Sequence, residues 1–243
     1  MQDACFTVAQ QEIMSLCGAN GSGKSTTQSI CVGSLPPTAG GIRICGRDLF
    51  LNKQSMYEAS LVGFCPQAAS MFERLTGREV LEFFTECKGL RDSDAKAVAA
   101  DAMAVLGLEK YADQVTSTYS GGNKRKLNFA VAYINSPRLC MLDEPSAGVD
   151  PAARRRMWQV MQQQRKGRAT VLTTHVLEEA SALSNRVAIM VNGRLACLGS
   201  PQRLRDLYGK GYQVQISCRG GVAGLRSVVS RLGVGIGADI QWD

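Results

Sequence analysis

Histidine is nearly absent from this sequence, since His175 is the only one among 243 residues. One histidine cannot build a cluster of histidine ligands, and the nine cysteines include no Cys-x-x-Cys pair, so the usual zinc sites are excluded. No apolar stretch approaches the roughly 18 residues that indicate a membrane-spanning helix. No signal peptide is expected at the start of the chain.

The cysteines are odd in number and scattered along the chain. Four of them lie in apolar segments, which favours free buried thiols in a reducing cytosol over a disulfide framework. The cysteines in such segments are Cys17, Cys31, Cys65 and Cys140.

The formal net charge is +7, and the basic residues are clustered. The clusters are 124–126, 154–156 and 165–168, and no aromatic residues are interleaved with them. This pattern favours a solvated, partly phosphate-facing surface over a nucleic-acid interface, with attraction to an anionic membrane as a secondary interpretation.

Residues 18–26 fit the phosphate-binding loop pattern G-x-x-x-x-G-K-[ST]. The glycines let backbone N–H groups surround the phosphates, Lys24 adds a full charge, and Ser25 is placed to bind Mg²⁺. An apolar strand at 12–17 precedes the loop and a helix at 25–31 follows it, as the motif requires. The predicted ATP-binding residues are Gly18, Asn20, Gly21, Ser22, Gly23, Lys24, Ser25 and Thr26.

An apolar run at 138–144 ends in two carboxylates, as a buried parallel strand with function at its carboxyl end does. We expect Asp143 to hold Mg²⁺, directly or through water, and Glu144 to polarise an attacking water. The alternative is an ordinary strand followed by two solvated acids.

His175 ends a second apolar run, 169–174, where it could donate a hydrogen bond to a γ-phosphate or to the attacking water. Gln67 closes a further strand, 61–66, and its amide oxygen could complete the Mg²⁺ shell. A structural histidine and an ordinary polar surface residue are the alternatives.

Ser120 is a natural N-cap for a helix whose apolar residues keep helical spacing. The first turn contains Gly121 and Gly122, then three basic residues at 124–126, and no acid. Because a helix dipole favours negative charge at this end, the helix start is predicted to receive an anion from outside. The alternative is a glycine-rich turn with solvated lysines.

The elements predict an α/β core at 1–67 and 137–208, a helical segment at 68–136, and the start of a small α+β tail domain at 209–243. The supporting signals are a Thr76–Glu79 capping box, a helix with Val98, Ala102, Val105 and Leu106 that stops at Gly107, an Asp150–Pro151 helix start, an Asn192–Gly193 hairpin turn, and a tail strand at 212–218 followed by a helix from Val222.

Six motifs in order give the chain a specific resemblance to the nucleotide-binding domain of ABC transporters. They are Walker A (18–26), Q-loop Gln67, signature 119–123, Walker B ending at Asp143–Glu144, D-loop 146–150 and switch His175. The chain most closely resembles subfamily A, the lipid exporter type, and the second of its two nucleotide-binding domains. The resemblance covers about residues 6–211, and its subfamily marks are Tyr119, 123–127, 150–155, 190–194 and 197–200.

This resemblance implies a P-loop NTPase (RecA-like) core with an ABC-type helical subdomain, and ATP and Mg²⁺ as cofactors. It implies ATP hydrolysis with Glu144, His175 and Gln67 as catalytic residues, Ser25, Gln67 and Asp143 as metal ligands, and Asp150 in the D-loop. A second nucleotide-binding domain would pair head to tail, so that Ser120, Gly121 and Gly122 contact the partner's ATP. The chain would act at the cytoplasmic face of a membrane with transmembrane domains of the same or an associated chain, and not on nucleic acid.

Two departures from the family pattern are visible. Only 23 residues precede Lys24, and Phe6 lies where the family has a core aromatic, so the first strand and the ring that stacks on adenine are expected to be missing. The chain is also expected to be part of a larger protein, since subfamily A proteins have membrane spans. A non-transport ABC ATPase acting on nucleic acid or ribosomes, and a binding-only fragment, are the alternatives.

Overall fold

The computed structural model describes residues 4–50, 61–68 and 72–209. The chain forms two compact units, Met1–Leu207 and Tyr208–Asp243. Nearly all of the second unit, with the predicted tail strand and helix, lies outside the described residues. Within the described part, no helix has the length and apolar character needed to cross a bilayer.

A six-stranded sheet with the order β4-β5-β6-β1-β7-β8 forms the centre of the first unit. Its strands are parallel except β8, which pairs antiparallel with β7. A separate two-stranded hairpin joins β2 and β3. The strands are β1 Ile13–Cys17, β2 Arg43–Ile44, β3 Arg47–Asp48, β4 Val62–Cys65, β5 Leu139–Asp143, β6 Ala169–Thr173, β7 Arg186–Val191 and β8 Arg194–Gly199.

Seven α-helices lie in the described residues. They are α1 Lys24–Cys31, α2 Gly77–Cys87, α3 Asp92–Leu106, α4 Gly121–Tyr133, α5 Pro151–Gln163, α6 Leu177–Leu183 and α7 Pro201–Tyr208.

Both faces of the sheet are covered, as the continuous apolar runs of its parallel strands require. Ile13 of β1 belongs to a core cluster that also includes residues of α2, α3, α4 and α5. Met14 and Leu16 belong to a second cluster, against which Phe6 packs as a core aromatic. Every residue of β1 is buried, so the strand that precedes the phosphate loop is held in place by packing on both faces.

The local helix signals are confirmed. Thr76 and Glu79 form the reciprocal capping box at the start of α2. Asp150 caps α5 with Pro151 at its first turn. Gly107 ends α3 with a left-handed φ of 63°, a conformation that glycine adopts without steric cost.

The predicted buried face of α3 is partly wrong. Val105 is 49% exposed, whereas the buried residues are Ala95, Ala99, Met103 and Leu106. Val98 and Ala102 are partly buried and pack against the same core, so the prediction fails only at Val105.

The Asn192–Gly193 hairpin is confirmed between β7 and β8. Both residues have positive φ, 49° and 77°, as the tight turn that joins two-residue hairpins requires.

Candidate functional site

The phosphate loop, Gly18–Gly23, joins the end of β1 to the start of α1. Gly23 is the N-cap of α1 with a φ of 104°, so the backbone turns sharply into the helix. The buried Lys24 donates from Nζ to the carbonyl oxygens of Gly18 at 2.8 Å and Ala19 at 2.9 Å. The loop thus curls around its own lysine, whose charge is balanced here by carbonyl dipoles.

The loop also lies tightly against the hairpin that ends β7. A Cβ atom on Gly18 would stand 2.4 Å from the backbone oxygen of Met190 and 2.6 Å from Ser22 Oγ, so only glycine fits this contact. The N–H of Gly193 donates to the carbonyl oxygen of Ser22 at 3.0 Å. These contacts fix the shape of the loop from outside.

The loop residues fit a bound triphosphate. Ser22 Oγ is buried and has no hydrogen-bond partner among the residues that the structure describes, and phosphate oxygens are strong acceptors. Lys24 Nζ is held at the mouth of the loop by neutral carbonyls, which a phosphate would replace with a full opposite charge. The Asn20, Gly21, Ser25 and Thr26 positions are all exposed around this mouth.

Asp143 ends β5 as a buried carboxylate. The hydroxyl of Thr173 donates to its Oδ1, which fixes the side chain at the carboxyl edge of the sheet. Gln28 Nε2 donates to the Leu142 carbonyl at 2.9 Å and so ties α1 to the end of β5. Ser25 lies about one helical turn before Gln28 in α1 and is exposed.

This arrangement fits Mg²⁺, which takes oxygen ligands from one or two protein groups together with substrate phosphates. Ser25 and Asp143 carry such oxygens, and their role as Mg²⁺ ligands stays a prediction. Within 4–50, 61–68 and 72–209 there is no group of three His, Cys, Asp or Glu side chains suited to holding a metal.

Glu144 follows Asp143 in a strained backbone conformation. Its φ is 46°, and its N–H donates to both the carbonyl oxygen and the hydroxyl of Thr173, at 3.2 and 3.0 Å. A non-glycine residue in this region costs on the order of 1–3 kcal/mol, so the surrounding structure holds it there. The backbone at Glu144 therefore leaves the extended conformation of β5.

The carboxylate of Glu144 meets the imidazole of His175. Its Oε1 lies 3.3 Å from Nδ1, with the glutamate side chain 15% exposed and the histidine 62% exposed. His175 follows β6, which pairs with β5 so that Thr173 stands opposite Asp143. A proton acceptor and a possible proton donor are thus adjacent beside the phosphate loop.

Gln67 lies just past the end of β4 and is exposed. The strand β4 neighbours β5, so Gln67 follows a strand next to the one that ends at Asp143. The preceding residue, Pro66, accepts a hydrogen bond from Arg125 Nη1 of α4 at 2.9 Å. The role of Gln67 as a Mg²⁺ ligand stays a prediction.

The helix α4 begins as predicted. Ser120 is its N-cap and accepts from the N–H of Asn123 at 3.3 Å, and the first turn has no acid. Ser120 and Gly121 are exposed, and a Cβ atom on Gly121 would meet nothing within 4 Å. The α4 start therefore opens onto free space.

The α4 start lies beside the D-loop, Ser146–Asp150. A Cβ atom on Gly122 would be 3.5 Å from the carbonyl oxygen of Gly148. Asp150 accepts from the N–H groups of Ala152 and Ala153, and the Ala153 bond is the main reason that the pKa of this carboxyl is lowered. The carboxylate of Asp150 thus serves as the cap of α5.

The carboxyl edge of the sheet brings together the phosphate loop, Asp143, Glu144 and His175. It does not include Ser120, Gly121 or Gly122, which begin a separate helix. Sequence reasoning missed Thr173 and Gln28, which contact Asp143 and the end of β5, and it missed the buried acid Glu179 of α6. A threonine at a strand end beside the acid pair was the one available signal, because the other two depend on contacts across the fold.

The thiols divide into two groups. Burial raises the pKa of Cys17 and Cys31 to about 11, and that of Cys65 and Cys140 to about 12. Three other cysteines, which were not among those predicted to be buried, are exposed: Cys5, Cys45 and Cys87.

Comparison of the chain with known proteins identifies relatives in both sequence and structure. The family described as ABC transporter matches residues 1–147. ATP-binding cassette sub-family A member 7 of Mus musculus is 40% identical over 213 residues, 87% of this chain and 10% of that protein. The retinal-specific phospholipid-transporting ATPase ABCA4 of Homo sapiens is 41% identical over 216 residues, 88% of this chain and 9% of that protein.

The chain thus spans about a tenth of the length of the curated relatives it matches. Among solved structures, an ATP-binding subunit of an ABC transporter has a TM-score of 0.79 and 27% identity, over 96% of this chain and 92% of that one. A dimeric ATP-binding cassette solved in a post-hydrolysis state with ADP and phosphate has a TM-score of 0.75 and 21% identity, over 86% and 90%. The fold of the described residues is accordingly that of a P-loop NTPase.

Proposed function

Because this chain belongs to the ABC transporter family, as an ATPase domain of that family, we propose that it binds and hydrolyses ATP to power transport across a membrane. The observation that supports this most strongly is the convergence at one sheet edge. The Lys24 loop, the buried Asp143 and the adjacent pair Glu144 and His175 lie at the ends of β1, β5 and β6.

Each of these residues has a distinct task in the proposed reaction. Lys24 and the loop amides hold the β- and γ-phosphates, and Lys24 exchanges its carbonyl partners for them. Ser25 and Asp143, with Gln67 as a third oxygen, would hold Mg²⁺. When bound there, the ion neutralises charge on the phosphate oxygens.

Glu144 takes the proton from the attacking water. Its side chain is largely shielded from solvent, Thr173 holds its backbone N–H, and its carboxylate contacts His175. His175 is far more exposed and adjoins Glu144, so it can orient the carboxylate and donate to the γ-phosphate oxygens. Positioning and charge stabilisation, more than covalent chemistry, account for catalysis in phosphoryl transfer.

The α4 start supports a head-to-tail pair of nucleotide-binding domains. Ser120, Gly121 and Gly122 are the cap and the start of the first turn of α4, a turn that contains no acid, and Gly121 opens onto free space. The chain's own phosphate loop would surround one triphosphate. We therefore assign the α4 start to the γ-phosphate of a second domain's ATP, with Asp150 and the D-loop beside it.

A lipid substrate and a membrane location are further parts of the proposal. The relatives include proteins named as phospholipid-transporting ATPases, and this chain would serve as a cytoplasmic module of such an integral membrane transporter. Transmembrane domains would contact the surface beside Gln67, where Arg125 ties α4 to the end of β4. The domain limits 1–67 with 137–208, 68–136 and 209–243 stay part of this proposal.

The test is phosphate release by the purified 243-residue chain and its Glu144→Gln variant. We expect the variant to keep its ATP affinity and to lose turnover by about 10²–10⁴-fold, because only the base is removed. The matched control is Glu178→Gln, the same change at an exposed acid of α6, which should hydrolyse ATP like the wild type. Equal hydrolysis by wild type and Glu144→Gln would remove Glu144 from this role, and a wild type without ATPase activity would refute the proposed function.

A further inference from the structure

Glu179 is a buried carboxylate that the proposed reaction does not use. It lies in α6 and is 1% exposed. Its Oε1 accepts two hydrogen bonds, from Ser146 Oγ at 2.7 Å and from Trp158 Nε1 at 2.9 Å. Its Oε2 has no partner within the described ranges.

These two bonds join segments that follow both reacting side chains. Ser146 is the first residue of the D-loop, two positions after Glu144. Glu179 comes four positions after His175, and Trp158 belongs to α5, which begins where the D-loop ends. Glu144, His175, Ser146 and Glu179 also line one cleft of about 110 Å³.

A contact in the middle of the D-loop extends this connection. Gly148 has a φ of 71°, and its carbonyl oxygen lies 3.5 Å from the Cβ position of Gly122 in the first turn of α4. The D-loop therefore has its first residue bonded to Glu179 and its third against the α4 start. A displacement of Ser146 would therefore displace both the strained Glu144, two residues before it, and the D-loop contact with the α4 start.

Burying a carboxylate with one oxygen unpartnered is costly, so packing alone does not account for Glu179. We propose that Glu179 is a positioning residue for ATP hydrolysis, which holds Ser146 and thereby keeps the D-loop, Glu144 and the α4 start in one arrangement. This inference rests on the proposed function. It assigns Glu179 no contact with nucleotide.

Ser146→Ala tests the proposal because it deletes one hydroxyl from a loop and leaves the core intact. We expect kcat to fall on the order of 10- to 100-fold, as small misplacements of reacting groups do. The KM for ATP should stay unchanged, since the Lys24 loop is untouched. Backbone amide hydrogen exchange at 146–149 should become faster, which reports the D-loop directly and needs no nucleotide.

Trp158→Phe is the matched control, since it deletes the other donor to the same oxygen and keeps the aromatic packing. We expect it to lower the melting temperature while kcat and exchange at 146–149 stay at wild-type values. Glu179→Gln should also lower kcat and speed exchange at 146–149. The double variant should have a kcat no lower than that of the more impaired single variant, because both changes break the same connection between Glu179 and Ser146.

Two results would overturn the inference. One is wild-type kcat and wild-type exchange at 146–149 in Ser146→Ala. The other is that Ser146→Ala and Trp158→Phe lower kcat equally, each in proportion to its fall in melting temperature. That result would mean that Glu179 has a purely structural role. A wild-type chain without ATPase activity would refute the proposed function, whereas the exchange readout would still decide whether Glu179 holds the D-loop.

Discussion

A negative charge at Gly121 should prevent two chains from pairing around ATP. Gly121 is exposed in the first turn of α4, and a Cβ atom there meets nothing within 4 Å. An aspartate therefore fits without steric conflict, and Gly121→Asp changes the charge at the predicted γ-phosphate contact. Gly121→Asn has nearly the same shape without the charge and is the matched control.

The expected magnitude follows from Coulomb's law. Two like charges about 4 Å apart repel by about 1 kcal/mol in water and about 4 kcal/mol at the effective dielectric of a partly buried interface. Since about 1.4 kcal/mol corresponds to tenfold in an equilibrium constant, association should weaken by roughly 5- to 1,000-fold for each like charge. High salt should reduce the effect only partly, because a closed interface excludes ions.

The assay is light scattering with ATP in the Glu144→Gln background, so that ATP persists, with nucleotide affinity measured by fluorescence on the same samples. Gly121→Asp should lose ATP-dependent pairing and keep nucleotide affinity at its own Lys24 site. Gly121→Asn, which lacks the charge, should pair much more readily than Gly121→Asp. If Gly121→Asp lost nucleotide at its own site yet still paired normally, the α4 start would act within its own chain and the reasoning would be refuted.

Two further predictions concern packing and burial. Gly18→Ala should lower the melting temperature by about 2–12 °C relative to Gly41→Ala, because overpacking costs ~1–3 kcal/mol. A Cβ atom on Gly18 would stand 2.4 Å from the Met190 carbonyl oxygen, whereas one on Gly41 would meet only Asp48 Oδ2, at 3.5 Å. Equal melting temperatures in differential scanning fluorimetry would contradict the contact at Gly18. Burial raises the pKa of Cys65 and of Cys140 to about 12, so the folded state keeps these protons at a pH where the unfolded chain loses them. The free energy of unfolding should therefore be unaffected by these thiols below their unfolded pKa of about 8.5, and should fall as the pH rises towards 12. Urea midpoints between about pH 8 and 10 should decline in the wild type and decline less in Cys65→Ala, while Cys87→Ser, at an exposed thiol, should match the wild type.

The parts of the site that are local in sequence could be predicted. The phosphate loop, the caps at Thr76 and Ser120, and the hairpin at Asn192 each depend on neighbouring residues, and the structure has them where the motifs do. The approach of Glu144 and His175 also followed from a simple rule, since parallel strands end at the same edge of a sheet.

Contacts between distant segments could not be predicted. Glu179 lies 33 residues from Ser146 and 21 from Trp158, and an acid in the first turn of a helix ordinarily indicates favourable interaction with the helix dipole. The error at Val105 has a similar origin, because the buried face of α3 is decided by its packing against other helices.

Mixing two inactive variants tests the central claim, that one active site is built from two chains. Lys24→Ala removes the lysine that holds the chain's own ATP and keeps the α4 start, while Gly121→Asp does the reverse. A mixed pair would combine the Lys24 loop of one chain with the α4 start of the other and regain one intact site. We predict that phosphate release by the mixture exceeds the sum of the separate variants, and a mixture as inactive as they are, beside an active wild type, would contradict the account.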